Sequence, residues 1–231
     1  MKYIEFDILK NYGYIAIQTT KNAGNMKNVQ NRDNILLELK LNNKKIVNAI
    51  QTHSTNILCV DNETDITNLE NIDGFITDKN DFVFLMYFAD CLPIFLLDKT
   101  NNVYGLIHSG WRGSSNKILS KAINLMKEKY NCKPENILVV FGASISSRNY
   151  EIQTDTVNEL AKKLDFNNMI LYNNEKIYLD NKKLNYELAI REGIKEENIY
   201  SNNYCTYKNN FYSYRKDKTQ DRSAAIFTRW S

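Results

Sequence analysis

Apolar positions along this chain follow two rhythms, and their alternation predicts the architecture. Continuous β-prone runs of about four to eight residues suit strands buried on both faces. Tyr14–Thr19, Phe82–Phe88 and Ile137–Phe141 are runs of this kind. Ile46–Thr52 predicts a strand that delivers His53 to its C-terminal end, and Ile57–Val60 predicts the next. Ile94–Leu97 and Val103–Ile107 pair as a hairpin across Asp98–Asn102, while Tyr204–Thr206 and Ala224–Thr228 read as closing strands.

The second rhythm is helical. After a polar loop, Lys21–Lys27, the residues Val29, Ile35, Leu36 and Leu39 recur at helix spacing. Ser114 or Ser115 is placed to cap a helix whose apolar face is Ile118, Leu119, Ala122, Ile123 and Met126. Val157, Leu160, Ala161 and Leu164 predict a short helix. Leu184, Leu188 and Ala189 predict another, stopped by Gly193 as a left-handed cap. With two prolines, eight glycines, no linker-like stretch and no internal repeat, residues 1–231 read as one α/β (α+β) domain of mixed strands and helices.

Composition narrows the function. At 43% hydrophobic the chain buries a sizeable core, which excludes a disordered protein. A net charge of +3 without an arginine-rich stripe argues against nucleic acid as a partner. Met1–Asp7 lacks a signal-peptide core and no 18-residue apolar span follows, so no membrane is expected. The cysteines at 59, 91, 132 and 205 form no C-x-x-C pair, which favours reduced thiols in a cytoplasm.

The candidate chemistry lies beside the expected strand ends. The chain has only two histidines: His53 in Gln51-Thr52-His53-Ser54, and His108 opening His108-Ser109-Gly110-Trp111-Arg112-Gly113. Between them Ala89-Asp90-Cys91-Leu92-Pro93 interrupts the most hydrophobic run. Two imidazoles and a thiolate leave a tetrahedral metal one open position, as a catalytic zinc requires. Taken singly, each histidine reads as a hydrogen-bonded core residue and Cys91 as a buried small hydrophobe; together, the three favour the metal. Cys59, Cys132 and Cys205 read as packed, inert thiols. Gly110-Trp111-Arg112-Gly113 leads into a helix, where free backbone N–H groups and the Arg112 guanidinium converge on an anion, or the stretch is a plain turn-and-cap. Arg215 and Arg222 are candidates to clamp phosphate or a ribose oxygen, or alternatively surface ion-pair partners. Asp90 and Glu151 are the candidate proton carriers, with Glu151 equally readable as a surface charge.

The order of these motifs, continued by Tyr150-Glu151, Cys205-Thr206 and Ser213-Tyr214-Arg215, resembles the YfiH-like family over roughly residues 15 to 228. That family carries an older label of multicopper polyphenol oxidase (laccase) and is regarded as purine nucleoside phosphorylases with adenosine deaminase activity. The resemblance implies a single layered α/β domain and one zinc on His53, Cys91 and His108. It implies a purine nucleoside (adenosine, inosine or methylthioadenosine) and phosphate as partners, in a monomer or small homo-oligomer. The chain departs from the pattern at Lys21-Asn22-Ala23-Gly24-Asn25-Met26, where the family has Arg-x-Gly-Gly-x-Ser. It departs again at Gly142-Ala143, Lys216 and Gln220-Asp221-Arg222, positions that bear on substrate contacts and leave the ligand triad untouched.

Other chemistries fit less well. A multicopper oxidase needs several imidazole-rich centres, and two histidines cannot furnish them, so copper is disfavoured. The zinc nucleobase deaminases pair H-x-E with P-C-x-x-C, which is absent. A Cys91/His108 hydrolase is the leading alternative, and a non-catalytic zinc module the third. The reading favoured is phosphorolysis, with Asp90, Cys91, Arg112 and Glu151 as catalytic candidates.

Overall fold

Period-two alternation sorts the strand side chains onto opposite faces, and here both faces are covered. The computed structural model describes residues 1–163 and 168–230. It begins with β1 (Tyr3–Glu5), α1 (Asp7–Lys10), β2 (Tyr14–Thr19), α2 (Val29–Glu38), β3 (Lys45–Val47), β4 (Ile57–Cys59), β5 (Gly74–Thr77), β6 (Phe82–Phe88), β7 (Leu92–Asp98) and β8 (Val103–Ser109). The middle holds α3 (Trp111–Ser115), α4 (Ile118–Tyr130), β9 (Ile137–Phe141), β10 (Glu151–Ile152) and α5 (Thr154–Ala161). It closes with β11 (Ile170–Asn173), β12 (Lys176–Leu179), α6 (Asn181–Arg191), β13 (Ile199–Tyr200), α7 (Tyr214–Asp217) and β14 (Ser223–Arg229).

Five strands form one sheet in the order β1-β2-β14-β6-β3, and six form another in the order β13-β9-β7-β8-β5-β4. A small third sheet runs β10-β12-β11. In the two large sheets β3 with β6, β4 with β5 and β13 with β9 are parallel pairs; the other pairs are antiparallel. Phe82, Phe84, Met86 and Phe88 of β6 pack against Phe95, Leu97, Tyr104, Leu106 and Val140 of the second sheet, making the inter-sheet core. The intervening residues, Val83 and Leu85, turn the other way onto Ile35 and Leu36 of α2. On the far face of the second sheet Ile94, Leu96 and Ile107 meet Ile118, Leu119, Ala122, Ile123 and Met126 of α4 and Leu184 and Leu188 of α6. The layers are therefore helix, sheet, sheet, helices, the layered α/β arrangement that the family resemblance implies. No helix among the described residues is long and apolar enough to cross a membrane.

Several expectations need correction. The strand expected over Ile46–Thr52 stops at Val47. Beyond it the side chain of Gln51 takes over the pairing, accepting from Tyr87 N at 2.7 Å and donating to Tyr87 O at 3.0 Å. His53 thus sits in a loop, at φ +62°, and not at a strand end. Ser114 and Ser115 do not cap α4. They lie inside the short α3, their hydroxyls turned back to Gly110 O at 3.0 Å and Arg112 O at 3.0 Å. Lys117 at φ +61° separates the two helices, and α4 starts without a side-chain cap. Tyr204–Thr206 is no strand, because only Cys205 bridges to Ser144. Leu164, expected to extend α5, lies outside the described residues. Gly193 does close α6, at φ +87° with Ile194 N bonded to Ala189 O at 3.1 Å.

Candidate active site

Three chain segments bring the candidate ligands together at one end of the sheets. Cys91 lies in the tight connection from β6 to β7, and His108 is the penultimate residue of β8, paired with Pro93 across the ladder. His53 approaches from the loop after β3. The ligand atoms of all three lie within 4.8 Å of one another. Cys91 Sγ is 3.7 Å from His53 Nε2, and the two imidazole centroids are 4.9 Å apart.

Asp73, fully buried just before β5, organises this arrangement. Its carboxylate accepts from His108 Nδ1 at 2.7 Å, which leaves Nε2 as the histidine's ligand atom. It also accepts from the backbone N–H groups of Thr52 (3.1 Å), His53 (3.1 Å) and Ser54 (2.8 Å), and from Ser54 Oγ at 2.7 Å. Those bonds fold the loop back and hold His53 in its left-handed conformation. Burial alone would raise the Asp73 pKa, but the bond and charge of His108 and the Ser54 bonds outweigh it and bring the carboxyl down to about 2. Burial likewise opposes charge on Cys91 and on His108. Their mutual attraction, with His53 aiding the thiolate and Asp73 the imidazolium, nevertheless lowers the thiol and raises the imidazole.

The donor set fits a metal with one open coordination position, and Gly110 keeps the space for it clear. A Cβ at Gly110 would stand 2.8 Å from His53 Cδ2 and 3.0 Å from Cys91 Sγ. Gly110→Ala should therefore weaken metal affinity about 5- to 150-fold, since an overpacking strain of about 1–3 kcal/mol falls on two of the candidate ligands. Wild-type affinity in a chelator titration of this variant would count against the cradle.

A cavity of about 560 Å³ opens over the cluster, and His53, Asp90, Cys91, His108, Arg112, Arg215 and Arg222 all line it. Arg112 is the second residue of the five-residue α3, with its guanidinium 4.4 Å from the centroid of Trp111. It lies inside this short helix and not just before one, as the sequence suggested. Arg215 donates from Nη1 to Glu151 O at 2.7 Å and stacks at 5.4 Å over Tyr150. Arg222 donates from Nη1 to Thr219 O at 3.0 Å and Asp221 O at 2.9 Å. Asp90, at φ +87°, accepts from Thr206 Oγ1 at 2.7 Å and from Arg215 N at 2.7 Å, so it also ties down the start of α7. Glu151 is not brought into the cavity: its carboxylate pairs with Lys176 at 3.0 Å on the surface.

Sequence reasoning missed Asp73, whose only signal was an Asp-Gly pair readable as a turn. It also passed over Tyr150, which lines the cavity where Glu151 was expected. Burial, with Cys91 nearby, pushes the Tyr150 phenol well above its ordinary value. Among the other cysteines, Cys59 is half-buried and Cys132 buried, where burial and Asp98 lift the thiol to about 12. Cys205 is buried as well. Burial raises its pKa, but hydrogen bonds from Ser146, side chain first and then its N–H, leave the thiol below its ordinary value.

The family model described as multi-copper polyphenol oxidoreductase laccase matches residues 12–229. A purine nucleoside phosphorylase of Borreliella burgdorferi is 35% identical over 188 residues, covering 80% of each chain. One from Clostridium acetobutylicum is 33% identical over 209 residues, covering 87% of this chain and 80% of the relative. In fold the chain is similar to the YfiH protein of Bacillus licheniformis, with a TM-score of 0.90 at 23% identity over 99% of this chain and 96% of that one. YlmD of Geobacillus stearothermophilus gives 0.87 at 25% identity, over 95% and 93%.

Proposed function

The chain belongs to the YfiH-like family, and on that premise we propose that it is a purine nucleoside phosphorylase. Its substrates are a purine nucleoside such as adenosine, inosine or methylthioadenosine, together with inorganic phosphate. The observation that carries this reading is the cavity itself. Three arginines and the aromatic rings of Trp111 and Tyr150 surround one carboxylate and the His-Cys-His cluster. That lining suits an anion beside a flat, apolar base.

In the reaction a phosphate oxygen forms a bond to C1′ of the ribose as the C1′–N9 bond breaks. The bonding pair leaves with the purine, the proton of hydrogen phosphate passes to it, and the products are ribose 1-phosphate and the neutral base. Arg112, with Arg215 or Arg222, holds the phosphate and supplies charge as the oxocarbenium-like state develops. Asp90 is the carboxylate within the cavity that serves the proton of the departing base. His53, Cys91 and His108 would hold one zinc, which when bound polarises an oxygen or lowers the pKa of a water, as a deamination of adenosine would also require. The low Cys91 and high His108 pKa values favour a second reading, a cysteine hydrolase, in the metal-free protein alone. A metal bound to both groups removes that option.

The test is release of adenine or hypoxanthine with and without phosphate. Phosphate-dependent release with formation of ribose 1-phosphate is expected; equal release without phosphate would make the protein a hydrolase. Arg112→Ala should lower kcat/KM for phosphate about a hundredfold, equivalent to about 3 kcal/mol, while zinc stays in place. Arg112→Lys should restore only part of it, because a point charge cannot reproduce the planar fork.

A further inference from the structure

Strand alternation turns His108 toward the inter-sheet core and Ser109 toward the opposite, helix-covered face. A hydroxyl on that apolar face must find partners, and α6 supplies them. Ser109 Oγ lies 3.0 Å from Asn185 Oδ1 and 2.8 Å from Ser114 Oγ. Asn185 Nδ2 spends its two hydrogens on Ser114 Oγ at 2.9 Å and Asn181 O at 2.8 Å. One turn earlier Asn181 Nδ2 donates to Ser109 O at 2.9 Å, and all four side chains are buried. The bonds converge on the Ser109-Gly110 peptide and on α3. His108 precedes that peptide, Gly110 is the metal cradle, and α3 carries Trp111 and Arg112.

We propose that Asn185, seconded by Asn181, is the positioning residue that fixes His108 and Arg112 relative to each other from behind the cavity. Only an asparagine fits: its oxygen must accept from Ser109 while its amide donates twice. Aspartate has the same shape but no hydrogens, so it would face Asn181 O with lone pairs only and draw the Ser114 hydroxyl away from Gly110 O. Leucine would abandon all of these buried partners. The network thus permits one placement of the His108-to-Arg112 segment, and an error of about 1 Å in such a segment is costly to a preorganised site.

The test compares Asn185→Asp and Ser109→Ala with Leu188→Ala, a buried residue of the same helix that packs in the apolar layer. Zinc affinity is measured by chelator competition and ligand geometry by the absorption spectrum of the cobalt-substituted protein; the melting temperature is recorded for each. Asn185→Asp should weaken zinc binding about 10- to 100-fold, the range expected when a partner behind a ligand is lost. It should also alter the cobalt spectrum. Ser109→Ala, the gentler change, should do the same to a smaller degree. Leu188→Ala should lower the melting temperature yet leave affinity and spectrum as in the wild type. The activity arm, a raised phosphate KM in Asn185→Asp, rests on the phosphorolysis reading, whereas the metal arm does not. A failure of that reading would therefore leave the zinc result standing. Wild-type zinc affinity and spectrum in folded Asn185→Asp or Ser109→Ala would overturn the proposal, as would equal metal losses in Leu188→Ala.

Discussion

Cys91→Ala is expected to release the metal and, with it, nearly all activity, while the fold persists. Cys91 Sγ is the only anionic donor in the cluster, 3.7 Å from His53 Nε2, and its replacement leaves two neutral imidazoles. Removing one ligand of three should weaken binding by at least about a hundredfold, about 3 kcal/mol. Acidification should act in the same direction. The metal needs a thiolate and two neutral imidazoles, and His108, raised by Cys91 and Asp73, holds its proton more firmly than a free histidine. Affinity should therefore fall as pH falls, with protons released on binding. Elemental analysis of protein purified without added metal decides the first point, and chelator competition across pH the second. Cys59→Ser and Cys132→Ser serve as controls that keep their metal. Unchanged metal content in both Cys91→Ala and His108→Ala would rule the centre out.

What the sequence made legible follows from burial. Phe82–Phe88 and Ile137–Phe141 are strands over their full expected lengths because central strands covered on both faces need unbroken apolar runs. The short pieces carried less signal: Gly74–Thr77 is four residues, and the small sheet around Glu151–Ile152 is half exposed. That His53, Cys91 and His108 cluster was legible because histidine is scarce in this chain. Its support was not, since Asp73 acts through backbone N–H groups that any sequence possesses. The overextended strand before His53 failed for a related reason. Gln51 imitates a ladder residue with its side chain, and no periodicity marks that substitution. Tyr150 and Glu151 stood side by side in one motif, and charge was a poor guide to which of them faces the cavity.

Asp73→Asn should combine a large loss of stability with a loss of metal affinity, because one carboxylate serves both the His108 ring and the loop that carries His53. Asparagine keeps one acceptor but presents amide hydrogens where N–H and O–H donors already converge, leaving several of them unpaired in a buried place. The cost should be about 2–4 kcal/mol in the metal-free protein, with zinc binding weaker by about 10- to 100-fold. The pH dependence identifies the carboxylate as the cause. Its folded pKa of about 2 lies below the ordinary value of 3.8, so its stabilisation is fully present above about pH 4 and disappears as pH falls through 2. The difference corresponds to about 2 kcal/mol. Denaturant titrations in the presence of chelator, which removes metal release from the comparison, should show a constant gap between wild type and Asp73→Asn above about pH 5. That gap should narrow between about pH 4 and pH 2. Curves that stay parallel to the acid limit would mean that the charge of Asp73 does not stabilise the fold, and the ordering of His53 and His108 would then need another source.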